Sequence, residues 1–302
     1  MSMTSEKPKP KGDTREGFII ALATYFLWGF LPFYLKAVAH IPAAEVVAHR
    51  IVWSVPLAGA VILLSGKFAE IRRAFASPHT LALAALTAAI ITINWGIYVW
   101  SIAAGRALES ALGYYINPLF SIFLASALLG EKLTRLQIIA VLLAACAVIF
   151  LAVEQGHLPW VSIGLTFSWG FYAFFKRTLK VGATEGFFLE VLLLSVPASG
   201  YVIWLEAGSK GHFLADNTYD TMLLLFAGVV TAVPLIMYAH AAKLLRLSTI
   251  GIMQYIAPTM IFLVAIFAFG EPFGTVKLVA FMLIWTALAL YSWSLFANRK
   301  GA

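Results

Sequence analysis

The sequence predicts an all-α integral membrane protein, built as ten transmembrane helices in two inverted five-helix repeats. Three observations carry this expectation: an apolar composition, ten long hydrophobic stretches parted by short polar breaks, and a self-similarity at an offset of about 140 residues. Of 302 residues, 62% are hydrophobic and 12% charged, and the mean hydropathy is +0.90. A soluble domain runs at about 45–50% apolar and about 25% charged, so this chain has too few charges to cover a soluble surface. It is also too apolar to stay disordered. The single cysteine, Cys146, excludes a disulfide framework and a thiolate metal cage. No cofactor and no metal are expected.

Within a bilayer the backbone must satisfy its own hydrogen bonds, so long apolar stretches become helices. Barrel strands are excluded, because they are about 10 residues long and alternate in polarity, whereas these stretches are continuous. The spans read 17–37, 44–65, 79–104, 109–129, 134–153, 158–179, 185–205, 219–243, 248–269 and 275–296. A Pro/Lys-rich tail, expected to be disordered to Gly12, precedes the first. Its start is basic and signal-like, but the apolar stretch is long and no small-residue cleavage site follows, so the span is expected to stay as an anchor. Polar breaks follow the second span (GKFAEIRR), the fourth (GEKLTR), the fifth (EQGH), the sixth (KRTLKVG) and the seventh (EAGSKGHFLADNTYD). Gly130 and Gly270 are natural helix stops. Glu131 and Glu271 then fall near the N-terminus of the following helix, where the helix dipole favours an acid, and capping is their expected role.

The net charge of +7 does not point to nucleic acid, because the basic residues sit in short clusters with no continuous basic face. They follow topology instead. With the N-terminus inside, sixteen Lys and Arg fall on inside segments and four (Lys36, Arg106, Lys210, Lys277) on outside ones, with Arg50 inside a span. Positive charge marks the cytoplasmic side, so both termini are expected in the cytoplasm.

The repeat is read from matches that stay in order. Trp28-Gly29-Phe30 lies over Trp169-Gly170-Phe171, Ser54-Val55-Pro56 over Ser195-Val196-Pro197, and Tyr98 over Tyr238. Arg106 lies over Arg246, Tyr115-Ile116-Asn117-Pro118 over Tyr255-Ile256-Ala257-Pro258, and Gly130-Glu131 over Gly270-Glu271. The expected division is a cytoplasmic tail 1–15, a first repeat 16–153, a second repeat 158–296 and a C-terminal tail 297–302. Five spans per unit is odd, so the second unit enters the membrane from the opposite side. Inverted repeats of this kind build alternating-access carriers, with the site near the midplane between them. The alternative is a duplication that only made a stable bundle.

The segments NWGIYVWSIAAGRALESALGYYINPL (94–119), EVVAHRIVWS (45–54), GEKLT (130–134) and STIGIMQYIAPT (248–259) together resemble RarD-type members of the EamA family, in the drug/metabolite transporter superfamily. The resemblance covers essentially the whole chain after about residue 15. It implies ten helices in two inverted repeats around a central cavity, in a multi-pass protein of a bacterial-type inner membrane. RarD-type proteins carry a chloramphenicol-sensitivity or permease label, and wider relatives look like exporters of amino acids and other metabolites. The implied function is secondary-active transport of a small organic solute, such as an amino acid, an amphiphilic metabolite or a drug.

Candidate residues follow from polarity inside the spans. Asn94, Tyr98, Ser101 and Gly105 share one helical face, and a polar stripe in lipid must face other helices or water. It is either a cavity wall or a set of interhelical hydrogen bonds. Trp28 and Trp169 lie mid-span, away from the headgroup belt where Trp is common. They could stack on a planar or cationic ligand, or pack while Gly29 and Gly170 admit a neighbour. Tyr238, Tyr114, Tyr115, Asn117, Gln254 and Tyr255 are further cavity candidates. Pro32, Pro56, Pro118, Pro197, Pro234 and Pro258 bend their spans.

His49, Arg50 and Glu190 put charge inside the membrane, where it costs at least about 2.5–3.5 kcal/mol and must face protein or water. His49 and Glu190 each precede a matched proline by seven residues. Inversion separates them, so they are not expected to pair with each other. Each is a candidate for gating or for coupling to a proton, with Glu45 one turn from His49 as its partner. Arg50 could meet an anionic group. The alternative is that these residues snorkel or tie helices together. Rival functions are an integral-membrane enzyme and a channel. No Asp stands deep within a span, since Asp220 is only the second residue of the eighth, and there is no HExxH, GxSxG or Walker loop, so no enzyme is expected. No repeated filter motif or charge ring marks a pore.

Overall fold

The computed structural model describes residues 13–130, 132–214 and 217–297. The tail before Asp13, Glu131, and the C-terminal tail from residue 298 with Arg299 and Lys300 lie outside the described residues. Among the described residues the structure is all helix: α1 (Arg15–Ala37), α2 (Ala43–Leu64), α3 (Phe68–Phe75), α4 (Pro78–Ala103), α5 (Ala107–Leu129), α6 (Arg135–Gln155), α7 (Trp160–Thr178), α8 (Ala183–Ala207), α9 (Thr218–Leu244), α10 (Leu247–Met253), α11 (Ile256–Leu263), a π-helical turn (Val264–Ala268) and α12 (Thr275–Ala297). Local signals start and stop these helices. Thr14 accepts from the Gly17 N–H at the head of α1, and Thr134 and Gln137 form a capping box on α6. Gly130 and Gly156 end α5 and α6 at φ 69°, in the left-handed region that glycine adopts at little cost.

Nine segments among the described residues are long and apolar enough to cross a membrane, with α10, α11 and the π turn joined as Thr249–Ala268. The expected sixth span is a helix, α7, but it is not among the nine. It has 19 residues and carries Ser162, Thr166, Ser168, Lys176 and Arg177. Its polarity is absorbed by neighbours: Ser162 Oγ donates to the Glu109 carbonyl (2.7 Å) and Thr166 Oγ1 to the Gly113 carbonyl (3.0 Å), both on α5. Such bonds satisfy hydroxyls that lipid would leave unpaired. Large apolar side chains such as Leu64, Val153, Phe267 and Trp293 point outward.

The GKFAEIRR break is not a plain loop: from Phe68 onward it folds as α3, which buries Ile71 and Ala74 and exposes Arg72 and Arg73. That is the pattern of a short amphipathic helix. The ninth span crosses as one segment, Thr249–Ala268, with helical dihedrals at Gln254 and Tyr255 but a local gap in its hydrogen-bond ladder. The gap falls four residues before Pro258, whose ring nitrogen has no hydrogen for the Gln254 carbonyl.

The helices pack in pairs: α6 on α12, α2 on α8, α2 on α9, α4 on α8, α1 on α9, α4 on α7, α1 on α11 and α5 on α7. Two of these contacts depend on glycine. A Cβ on Gly29 of α1 would lie 2.6 Å from Met260 Cβ of α11, and a Cβ on Gly170 of α7 would run into the Phe120 ring of α5.

Candidate functional site: a central aromatic cavity

A cavity of about 150 Å³ lies between α1, α2, α4, α5, α7, α9 and the α10–α11 junction. Seven of its eighteen lining residues are aromatic, and six of these rings form two groups. Trp28 and Tyr238 have ring centroids 5.6 Å apart, with Tyr25 packed edge-on against both at 5.6 and 6.3 Å. In the second group Tyr114 meets Tyr98 edge-on at 5.3 Å and Trp169 at 6.5 Å. Each group joins a Trp-Gly helix (α1 or α7) to the matched Tyr of α9 or α4, or to its neighbour.

Polar atoms punctuate this wall. Asn94 Nδ2 donates to the Leu165 carbonyl (3.2 Å) and to Ser168 Oγ (2.9 Å), so its amide nitrogen is held by α7. The Tyr98 hydroxyl and Asn117 Oδ1 are buried without a hydrogen-bond partner among the described residues. Gln254 reaches the cavity at the α10–α11 junction, its Nε2 donating to the Gly251 carbonyl at 3.0 Å. One lining residue is charged. Arg50 is 3% exposed, its Nε donates to Thr231 Oγ1 (2.9 Å), and its guanidinium lies 4.9 Å from the Trp95 ring centre. Nη1 is buried with no partner, and no carboxylate pairs with Arg50 among the described residues. A desolvated cation–π contact contributes about 2 kcal/mol. A buried ion costs several kcal/mol, so Trp95 offsets only part of the cost.

The cavity brings together Trp28, Arg50, Asn94, Tyr98, Tyr114, Asn117, Trp169, Tyr238 and Gln254. Tyr115 and Tyr255, expected on the same wall, are not there. They line a separate groove beside α12, where the Tyr115 hydroxyl meets Thr259 Oγ1 at 2.7 Å. Each follows a cavity residue by one position, and one residue turns a helix by about 100°. Ser101 and Gly105 also leave the wall: Ser101 bonds Ser110 Oγ (2.6 Å), and Gly105 sits past the end of α4 at φ 68°. Tyr25, Trp95 and Thr231 line the cavity and were not singled out from sequence. Trp95 stands inside the NWG segment, but Thr231 gave no signal.

The remaining charged residues lie off the cavity. His49 Nδ1 accepts from Trp53 Nε1 (3.0 Å), and the imidazole packs on Phe213 with centroids 4.8 Å apart. The expected Glu45–His49 pair does not form. Glu45 instead accepts from the His212 backbone N–H (2.6 Å) and contacts its Nδ1 (2.8 Å), because the loop after α8 brings a closer partner. Glu185, near the head of α8, pairs with Lys67 at the opposite end of the α2–α8 contact. Glu190 and His49 do not pair: Glu190 lies 2.7 Å from Lys176 Nζ and accepts from the Tyr172 hydroxyl at 3.2 Å. Glu271 is a cap, but not of the helix that follows it. Its carboxylate accepts from the backbone N–H groups of Ala107 (2.6 Å) and Leu108 (2.9 Å), the first residues of α5.

Comparison with known proteins extends this picture. Residues 15–153 match the model of the EamA-like transporter family. Protein RarD of Salmonella typhi is 38% identical over 288 residues, spanning 95% of this chain and 98% of the relative. An uncharacterized transporter of Vibrio cholerae is 40% identical over 93% of both chains. A chain of known crystal structure aligns over 94% of this chain and 97% of its own length, with a TM-score of 0.61 at 16% identity, and so shares the fold. Near-full-length identity of this degree, on a bundle of membrane-crossing helices around an aromatic cavity, makes the chain a RarD-type member of the EamA-like transporter family and a multi-pass bacterial membrane transporter.

Proposed function

We propose that the protein is a secondary carrier of a small organic solute, working by alternating access through the central cavity. The observation that carries this reading is the cavity itself, lined by Trp28, Asn94, Tyr98, Asn117, Trp169, Tyr238 and Gln254. A site between two repeats is a recurring feature of carriers.

In this reading ten spans, with α7 as the sixth, form two inverted repeats over 16–153 and 158–296. Helix pairing supports it, because exchanging the repeats turns α1 on α9 into α4 on α7, α5 on α7 into α1 on α11, and α2 on α9 into α4 on α8. The glycine contacts support it too, since Gly29–Met260 and Gly170–Phe120 exchange at offsets of 141 and 140. Both termini are cytoplasmic, in an inner membrane. His49 and Glu190 serve opposite gates, with a proton as the coupling ion. A membrane enzyme or an uncoupled channel would not need a cavity of matched halves.

Reconstituted proteoliposomes test the reading. Labelled amino acids, aromatic carboxylates and amphiphilic amines are offered outside vesicles preloaded with the unlabelled solutes. Saturable uptake accelerated by the internal solute is expected for at least one class, and it weakens in Trp28→Ala and Tyr98→Phe. Flux that is unsaturable and unaffected by preloading refutes a carrier. A Glu190→Gln variant with unchanged dependence on a pH gradient removes Glu190 from coupling.

A further inference from the structure

We infer that the solute is an organic anion with a flat apolar body, its anionic group held by Arg50. This rests on the carrier reading and assigns the chemical class that the cavity selects. Among the described residues Arg50 is the one charged residue lining the cavity, and no acid lines it to compensate. The side chain is nine-tenths or more buried, Nη1 has no partner, and no ion pair to Arg50 forms among the described residues. Nε is already committed to Thr231 Oγ1 at 2.9 Å, and Trp95 covers the guanidinium at 4.9 Å, so the group is fixed before a ligand arrives. A planar guanidinium matches a carboxylate, and charge-assisted bonds to it are stronger than neutral ones. Buried charges are normally paired, and here the missing partner is supplied by the solute.

The rest of the wall fits the body of such a molecule. Trp28 with Tyr238, and Tyr114 with Trp169, line the cavity as two packed ring pairs that offer apolar surface to a flat group. A cation would meet the same rings favourably, but it would also meet the uncompensated guanidinium. The fixed charge therefore decides in favour of anions.

The test uses the purified full chain in detergent, in chloride-free buffer, with binding read by thermal stabilisation and by tryptophan fluorescence. The probes are benzoate, phenylacetate and hydrocinnamate, each beside its uncharged amide and the amine of equal length, with sodium chloride as a separate arm. We expect at least one carboxylate to bind about tenfold more tightly than its amide, as charge-assisted bonding allows, and the amine to bind more weakly still. Arg50→Lys keeps the preference for the carboxylate, and Arg50→Gln loses it. The inference is overturned if no carboxylate binds, if amides or amines bind as well as their acids, if chloride stabilises as much as the carboxylates, or if Arg50→Gln retains the preference. The wild-type comparison decides the question even where Arg50→Gln does not fold. Saturable exchange of neutral or cationic solutes in proteoliposomes, with no carboxylate bound, would remove the anion assignment and leave the carrier reading standing.

Discussion

Replacing Gly29 or Gly170 by alanine should destabilise the protein, although alanine is the better helix former. Alanine gains about 1 kcal/mol over glycine inside a helix. Against this stands the space available. A Cβ on Gly29 would lie 2.5 Å from Met260 Sδ, 2.6 Å from Met260 Cβ and 2.9 Å from Met260 Cε. The sulfur and terminal methyl can swing away, but Met260 Cβ moves only with the backbone of α11. Overpacking of this kind costs about 1–3 kcal/mol, so the net loss at Gly29 reaches about 2 kcal/mol. Gly170 meets the rigid Phe120 ring and should lose at least as much. The protein holds its own controls: Gly96 in α4 and Gly200 in α8 have nothing within 4 Å of the added atom. Gly96→Ala and Gly200→Ala should therefore hold stability or raise it by up to about 1 kcal/mol of helix propensity, read as an unchanged or higher melting temperature. Scanning fluorimetry of the purified variants in one detergent measures all four. Adding Met260→Ala to Gly29→Ala should restore part of the loss, because it removes Sδ and Cε but keeps Cβ. If Gly29→Ala and Gly170→Ala melt with Gly96→Ala, close approach is not what glycine provides at these sites and the reasoning fails.

Glu271→Ala should lower stability by about 2–5 kcal/mol, because two buried N–H groups at the head of α5 lose charge-assisted acceptors; an unchanged thermal melt would contradict the capping role. Glu45→Gln and His212→Ala should be less than additive when combined, since they share one contact; full additivity in a double-mutant cycle would show that the pair does not form. In a Cys146→Ser background, single cysteines at Ser209 and Lys132 should react with an impermeant maleimide from opposite faces of the membrane, Ser209 from outside. Labelling from the same face would overturn the orientation.

Much of this molecule was legible because lipid imposes simple rules. Apolar length located the helices, so Leu64, Val153 and Trp293 could be placed in spans with no knowledge of their neighbours. The mid-span tryptophans were legible for a related reason: Trp28 and Trp169 sit where no headgroup needs them, and both line the cavity. Partner choice was not legible. Glu45 stands one turn from His49, yet it binds His212, 167 residues away. Glu271 precedes α12, yet it caps α5, 163 and 164 residues away. Neither is a local property, because each depends on which loop the fold delivers. Tyr115 and Tyr255 failed by one helical step, a distance smaller than the boundary error of any span read from hydropathy.

The matched halves also explain why the charge needs an argument of its own. Under the proposed repeat four of the rings exchange, Trp28 with Trp169 and Tyr98 with Tyr238, whereas Tyr25 and Tyr114 fall over Thr166 and Gln254. Arg50 does not exchange, because at the same offset of 141 its counterpart is Val191, which is wholly buried. Thr231, which holds the Arg50 Nε, has Ile91 as its counterpart at an offset of 140, also buried. The ring pairs therefore provide two similar surfaces, while guanidinium and hydroxyl stand on one side alone. A symmetric wall would accept a flat solute in two orientations. A single fixed cation permits one, with the anionic end at α2 and α9 and the apolar body between the rings. Moving the charge across the axis, in Arg50→Val with Val191→Arg, should keep the preference for carboxylates only if the cavity surfaces are equivalent. Loss of that preference in a folded double variant would show that Thr231 and Trp95 are part of the anion site, and that the duplication supplied the frame and not the specificity.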